Sequence, residues 1–157
     1  MATVMSFYDP DDYTPERSVG YVIKVCNQIG VAALDRAFAA EGLNAPQWSA
    51  LMGLHHHIEP TCAVLARDMA HDKGAMTRMM DTLEARGWVE RTRSADDRRV
   101  VHLSLTVDGQ AVMKRCRDLV VAYWNRCLAD WSDAEIEQFL AHLQKLRGTM
   151  EDIATCP

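Results

Sequence analysis

Residues 61–105 read TCAVLARDMAHDKGAMTRMMDTLEARGWVERTRSADDRRVVHLSL, and this stretch decides the fold. Thr61 is a side-chain cap for a short helix that turns Val64, Leu65 and Met69 inward. A break follows at His71-Asp72, where Asp72 can cap a further helix from about Lys73 to Arg86. Met76, Met79, Met80 and Leu83 give that helix one apolar stripe. Gly87 stands where a helix-ending glycine belongs. Two β-prone runs, 88–92 and 100–105, then flank a charged tip and predict a hairpin. Its turn lacks Asn-Gly or Asp-Gly, so a longer loop is expected.

Outward from this segment the chain reads as helices. Val22, Cys26, Ile29, Ala33 and Ala37 recur at helical spacing over 18–41, and Gly42 is a stop. Asn44, Pro46 and Gln47 form a capping-box start for a second helix that ends near Glu59-Pro60. Thr106 caps a long helix lined by Val112, Cys116, Leu119, Val120 and Tyr123. Ser132 and Glu135 box the start of another, which repeats Ile136, Phe139, Leu140, Leu143 and Leu146. Residues 1–17 carry Pro10, Pro15 and several aspartates and read as an N-terminal arm, extended over 1–16. The fold class is therefore mainly α with a small β-hairpin wing: a winged helix-turn-helix over 44–105, and a helical dimerisation region over 18–43 and 106–157. The terminal helices are more apolar than so small a chain can cover, which points to a second subunit.

Composition bounds the rest. Apolar residues make up 48% of the 157-residue chain and charged residues 25%, with a net charge of −5. Residues 60–107 hold eight Lys/Arg against seven Asp/Glu, whereas the remainder holds nine against fifteen. The near-neutral segment of an acidic chain is where a polyanion contact is expected. No signal peptide and no membrane-length apolar run is read, and the five cysteines are odd in number without a CxxC, so a reducing cytoplasm is expected.

The helix from Lys73 opens with Lys73-Gly74-Ala75-Met76-Thr77-Arg78. Lys73, Thr77 and Arg78 can donate to phosphates or base edges, while Gly74 and Ala75 allow close backbone approach. Arg91, Arg93, Arg98 and Arg99 decorate the hairpin, and arginines on a thin ribbon suit a narrow minor groove. A solvated helix and a charged loop would carry the same residues.

Residues 83–109, LEARGWVERTRSADDRRVVHLSLTVDG, resemble the MarR family of winged-helix regulators. The resemblance rests on Leu83-Glu84, Gly87, the basic strand Val89–Arg93, Asp97-Arg98-Arg99, Leu105-Thr106 and Gly109, and the helix order extends it over about 18–153. It implies a symmetric homodimer on a palindromic double-stranded DNA operator, in most cases as a repressor. Base contacts would map to Lys73–Arg78 and Asp81, a minor-groove arginine to Arg98 or Arg99, and the residue that holds it to Asp97. The Gly74-Ala75 pair departs from the serine and threonine common there. It also implies a small anionic aromatic effector, an acid or its thioester, bound near Arg17, Tyr21, Asn27, Trp48, Leu51, His55 and Tyr123.

Other functions find less support. Consecutive helical residues point about 100° apart, so His55-His56-His57 cannot ligate one ion, and no metal or cofactor is expected. Cys26, Cys116 and Cys127 occupy apolar positions and are expected to be buried and inert, which leaves Cys62 and the tail residue Cys156 for an oxidation-sensing alternative. No GxSxG, phosphate loop or HExxH occurs, so an enzyme is not expected. A plain helical dimerisation module would explain the long helices but not the arginine wing.

Overall fold

Helix boundaries in this computed structural model, which describes residues 7–155, follow the capping residues. The elements are α1 (Val19–Phe38), α2 (Ala45–His56), α3 (Cys62–Asp68), α4 (Lys73–Ala85), β1 (Val89–Arg93), β2 (Val101–Leu105), α5 (Val107–Cys127) and α6 (Asp133–Thr155). Asn44 and Gln47 close a reciprocal box at the start of α2, with bonds of 2.9 and 3.2 Å. Thr61, Asp72 and Thr106 each accept a backbone N–H three residues on, which satisfies donors that the first helical turn leaves unpaired. Ser132 and Glu135 do the same for α6. α1 ends sooner than its apolar spacing predicts, tightening into a 3-10 turn over Ala39–Glu41 before the left-handed Gly42.

The break between α3 and α4 is a tight one. The His71 N–H donates to the Ala66 carbonyl at 2.8 Å, and Ala70 takes φ 51 to close the turn. β1 and β2 pair antiparallel with Val89 opposite Leu105 and Arg93 opposite Val101. Ser94 to Val100 form the tip, held by Ser94 N–H to Val100 O and Val100 N–H to Asp97 O, both 2.9 Å.

Two compact units result, the first running to Leu119 and the second from Val120. The first holds a core of Phe38, Leu51, Leu65, Met76, Met80, Leu83, Val89, Leu103, Val112 and Cys116, all but sealed from solvent. Burying each large side chain contributes about 1.5–3 kcal/mol, so this cluster dominates the stability of the lobe. In the second unit α6 buries no residue.

Some expectations change. The described part of the arm is not extended: Pro10–Asp12 and Pro15–Arg17 form 3-10 turns, Asp9 caps the first of them, and the Tyr8 hydroxyl accepts the Val19 N–H at 2.9 Å. Of the three cysteines at apolar positions only Cys116 is buried, whereas Cys26 and Cys127 are exposed among the described residues. Cys156 lies outside the described residues. No helix among the described residues is long and apolar enough to cross a membrane.

Candidate nucleic-acid interface

The first turn of α4 is built to leave its cations free. Asp72 Oδ1 accepts the Ala75 N–H at 3.0 Å. The Thr77 hydroxyl donates back to the Lys73 carbonyl at 2.9 Å, so its oxygen keeps accepting capacity on an exposed face. A side chain at Gly74 would put Cβ 3.1 Å from Asp72 Oδ1 and 3.6 Å from an Arg78 nitrogen. Glycine therefore preserves both the cap and the space over which the Arg78 side chain lies. Lys73, Thr77 and Arg78 are exposed, Ala75 is half-buried, and Met76 faces the core.

Arg91 is placed differently from the other wing arginines. It shares the inward face of β1 with Val89, its side chain is only 27% exposed, and it bridges Asp81 at 2.7 Å and Glu84 at 2.5 Å. Burial works against its charge, but the hydrogen bond it donates to Asp81 and the charges of Glu84 and Asp81 outweigh it and hold its proton more firmly than usual. Asp81 and Arg91, both expected at the DNA, are thus joined to each other, together with Glu84, whose part the sequence did not reveal. The cluster ties the wing strand to the back of α4.

At the tip, Asp97 takes both the backbone and the guanidinium of Arg99, with contacts of 2.9, 3.1 and 3.0 Å. These bonds hold the Asp97 carboxyl below its ordinary value and fix the direction of an arginine whose side chain is 91% exposed. Arg93, the last residue of β1, and Arg98, within the tip, are also exposed. Among the described residues Lys73, Arg78, Arg93 and Arg98 have no ion-pair partner.

The base of the wing is locked to α5. The Thr106 hydroxyl donates to the Gly87 carbonyl at 2.6 Å, and the Thr106 N–H donates to the Trp88 carbonyl at 3.1 Å. Gly109 lies so close that a Cβ there would fall 1.9 Å from that Trp88 oxygen, a contact only glycine permits. On the other edge, the Leu103 N–H donates to the Pro60 carbonyl at 2.8 Å and His102 Nδ1 bonds the Glu59 carbonyl at 2.9 Å.

The residues expected around an effector differ in exposure and in their partners. Arg17 is paired with Asp12 in the arm, and Tyr21 and Asn27 lie exposed on α1. Leu51 is wholly buried in the core. Trp48 is half-buried against Phe38, its indole N–H 3.4 Å from the Met113 carbonyl. Tyr123 belongs to the second unit, edge-on to Trp124. His55 borders a cleft of about 300 Å³ whose other walls include His57, His102 and Gln110 and none of the other six expected residues. Cys116 is a poor thiolate, pushed up to about 11 by burial and by the nearby Glu41 charge. No group of three or more metal-ligating side chains occurs among the described residues.

A helix-turn-helix whose second helix starts with unpaired cations, followed by a hairpin that carries a braced arginine, defines a winged helix-turn-helix protein. The MarR family model matches residues 43–101. The multiple antibiotic resistance protein MarR of Escherichia coli strain K12 is 32% identical over 102 residues, covering 65% of this chain and 71% of that protein. A crystal structure of a cysteine-to-serine mutant of E. coli MarR in complex with operator DNA is 28% identical with a TM-score of 0.73, covering 81% of this chain and 91% of that one. CouR from Rhodococcus jostii RHA1, bound to p-coumaroyl-CoA, shares the fold with a TM-score of 0.77 at 23% identity over 85% of this chain and 94% of that one. The chain belongs to the MarR family and is a winged helix-turn-helix transcriptional regulator.

Proposed function

We propose that the protein is a ligand-responsive repressor that binds a palindromic DNA operator as a homodimer. The observation that carries this reading is the sorting of charge in residues 61–105. Arg91 and Arg99 are each held by carboxylates, while Lys73, Arg78, Arg93 and Arg98 stay unpaired along one helix start and one hairpin. The start of α4, with Lys73, Gly74, Ala75, Thr77 and Arg78, enters the major groove. Arg99, aimed by Asp97, and its neighbours Arg98 and Arg93 take the adjacent minor groove and backbone. Asp81 and Arg91 act by holding the strand on the helix.

Two-fold pairing suits the apolar surface left open. Val19, Tyr21, Val22, Ile23 and Ile29 of α1 are exposed, as are Phe139, Leu140, Met150 and Ile153 of α6. Release by a small aromatic acid or its thioester is supported by the ligand in the CouR structure. Such an effector acts by preferring the conformer that does not fit DNA.

The test is operator binding on the DNA upstream of the chain's own gene, with rising salt. Specific sites should exceed random DNA by about 10³-fold or more, and affinity should fall as salt rises. Arg99→Ala should cost about 1–3 kcal/mol of operator affinity while the fold is kept. Unchanged affinity would remove the wing from the mechanism, and equal binding to random DNA would remove operator recognition.

A further inference from the structure

The turn that joins α1 to α2 receives two arginines from distant parts of the chain. Arg86, at the C-terminal end of α4, donates from its guanidinium to the Gly42 carbonyl. The same guanidinium lies 5.0 Å above the Trp88 ring, at the root of the wing. Gly42 is left-handed with φ 65, and a Cβ there would stand 3.3 Å from the Arg86 guanidinium. From the other side, Arg115 of α5 grips the Glu41 carboxylate with two bonds of 2.9 and 2.8 Å. The side-chain bond from Arg115 holds Glu41 below its ordinary value. Two neighbouring residues just beyond α1 are thus tied to α4 and to α5 at once.

We propose that Arg86 and Arg115 are positioning residues that fix the direction of α4 relative to α1 and α5, and thereby set the half-site spacing that the dimer accepts. The inference rests on the DNA-binding homodimer proposed above. Geometry supplies the leverage. Arg86 anchors one end of a 13-residue helix whose other end carries Lys73. Such a helix is about 20 Å long, so a tilt of about 5° at the anchored end moves the reading end by roughly 1.7 Å. With both copies tilted, the two reading ends shift by roughly 3.4 Å, one base-pair step of duplex DNA. A small loss of stiffness at Glu41–Gly42 is therefore enough to change which spacing fits. Arg86, Arg115 and Gly42 are surface groups, so their removal leaves the core cluster intact.

The experiment measures Kd on a panel of duplexes in which the half-sites of the protein's operator are moved by one base pair inward or outward. Wild type should prefer one spacing by tenfold or more. Arg86→Ala should reduce that preference to threefold or less, with its melting temperature and salt dependence unchanged. Arg86→Lys, which keeps a donor for Gly42 and a cation over Trp88, should restore part of it. Arg115→Met, a break on the other side of the turn, should reproduce the alanine result. Retention of the full spacing preference by both Arg86→Ala and Arg115→Met overturns the proposal. So does an equal loss of affinity at every spacing, which would make these arginines plain phosphate contacts. A wild type indifferent to spacing would instead overturn the two-fold operator reading, and this inference with it.

Discussion

α4 and α6 are both amphipathic, yet they end in opposite conditions. α4 is 13 residues long and buries Met76, Met80 and Leu83 completely. α6 is 23 residues long and buries nothing, with Phe139, Leu140, Met150 and Ile153 left exposed. The contrast teaches what an apolar stripe means. It marks a face that requires cover, and the cover can be another part of the same chain or another molecule. α4 meets α3 and the hairpin within the first unit. Among the described residues none of α6 is buried, and in the homodimer proposed above its stability would be tied to association.

The largest expected effect tests that contrast directly. Met80→Ala should lower unfolding stability by about 2–5 kcal/mol at any protein concentration, read by denaturant titration. Phe139→Ala should show its loss mainly as a weaker subunit association in analytical ultracentrifugation. Wild-type melting should also rise with protein concentration. A Phe139→Ala protein as unstable at high dilution as Met80→Ala would erase the distinction between the two helices.

A pair of glycines sharpens it. An added methyl at Gly109 would collide with the Trp88 carbonyl, so Gly109→Ala should cost about 1–3 kcal/mol by calorimetry. At Gly148 of α6 an added methyl meets nothing within 4 Å, and Gly148→Ala should stabilise by about 0.5–1 kcal/mol through helix propensity. A loss at Gly148 would place a closely packed partner against that turn.

The smallest effect concerns pH. Asp97 is held below its ordinary 3.8 by the Arg99 side-chain bond and then by the Arg99 backbone, whereas Glu135 is held below 4.5 by neutral Ser132 bonds. Both groups have folded values lower than unfolded ones. Each therefore contributes stability that is present above 3.8 or 4.5 and lost as pH falls through the depressed value. Carboxyl NMR titration should show the Asp97 depression shrinking in about 1 M salt, where the screening length is roughly 3 Å, while that of Glu135 persists. Equal salt responses would mean that charge pairing does not set the wing tip.

Much of the lobe was legible in sequence because its boundaries are local. Asn44, Thr61, Asp72, Thr106 and Ser132 each announce a helix start from within three residues. The Asp97–Arg99 brace is also local, two residues apart. What sequence reading missed is non-local. That Arg91 faces Asp81 and Glu84 rather than solvent depends on how β1 lies across α4. The link from Arg86 to Gly42 spans 44 residues. Periodicity identifies an apolar side without revealing what lies against it, which is why it predicts burial for Cys26 and Cys127, both of which are exposed. Leu51 is a case of the same kind: its position on α2 marks an apolar face, and that face is the centre of the core.

The turn before α4 carries a consequence of its own. Ala70 holds a left-handed backbone at φ 51 that usually falls to glycine. An L-residue there gives up roughly 1–2 kcal/mol. Glycine would relieve that strain but loosen the unfolded chain, which offsets part of the gain. The chain thus keeps a stiff elbow at the entrance to its reading head, accepting a modest deficit in robustness for a bend with fewer alternative shapes.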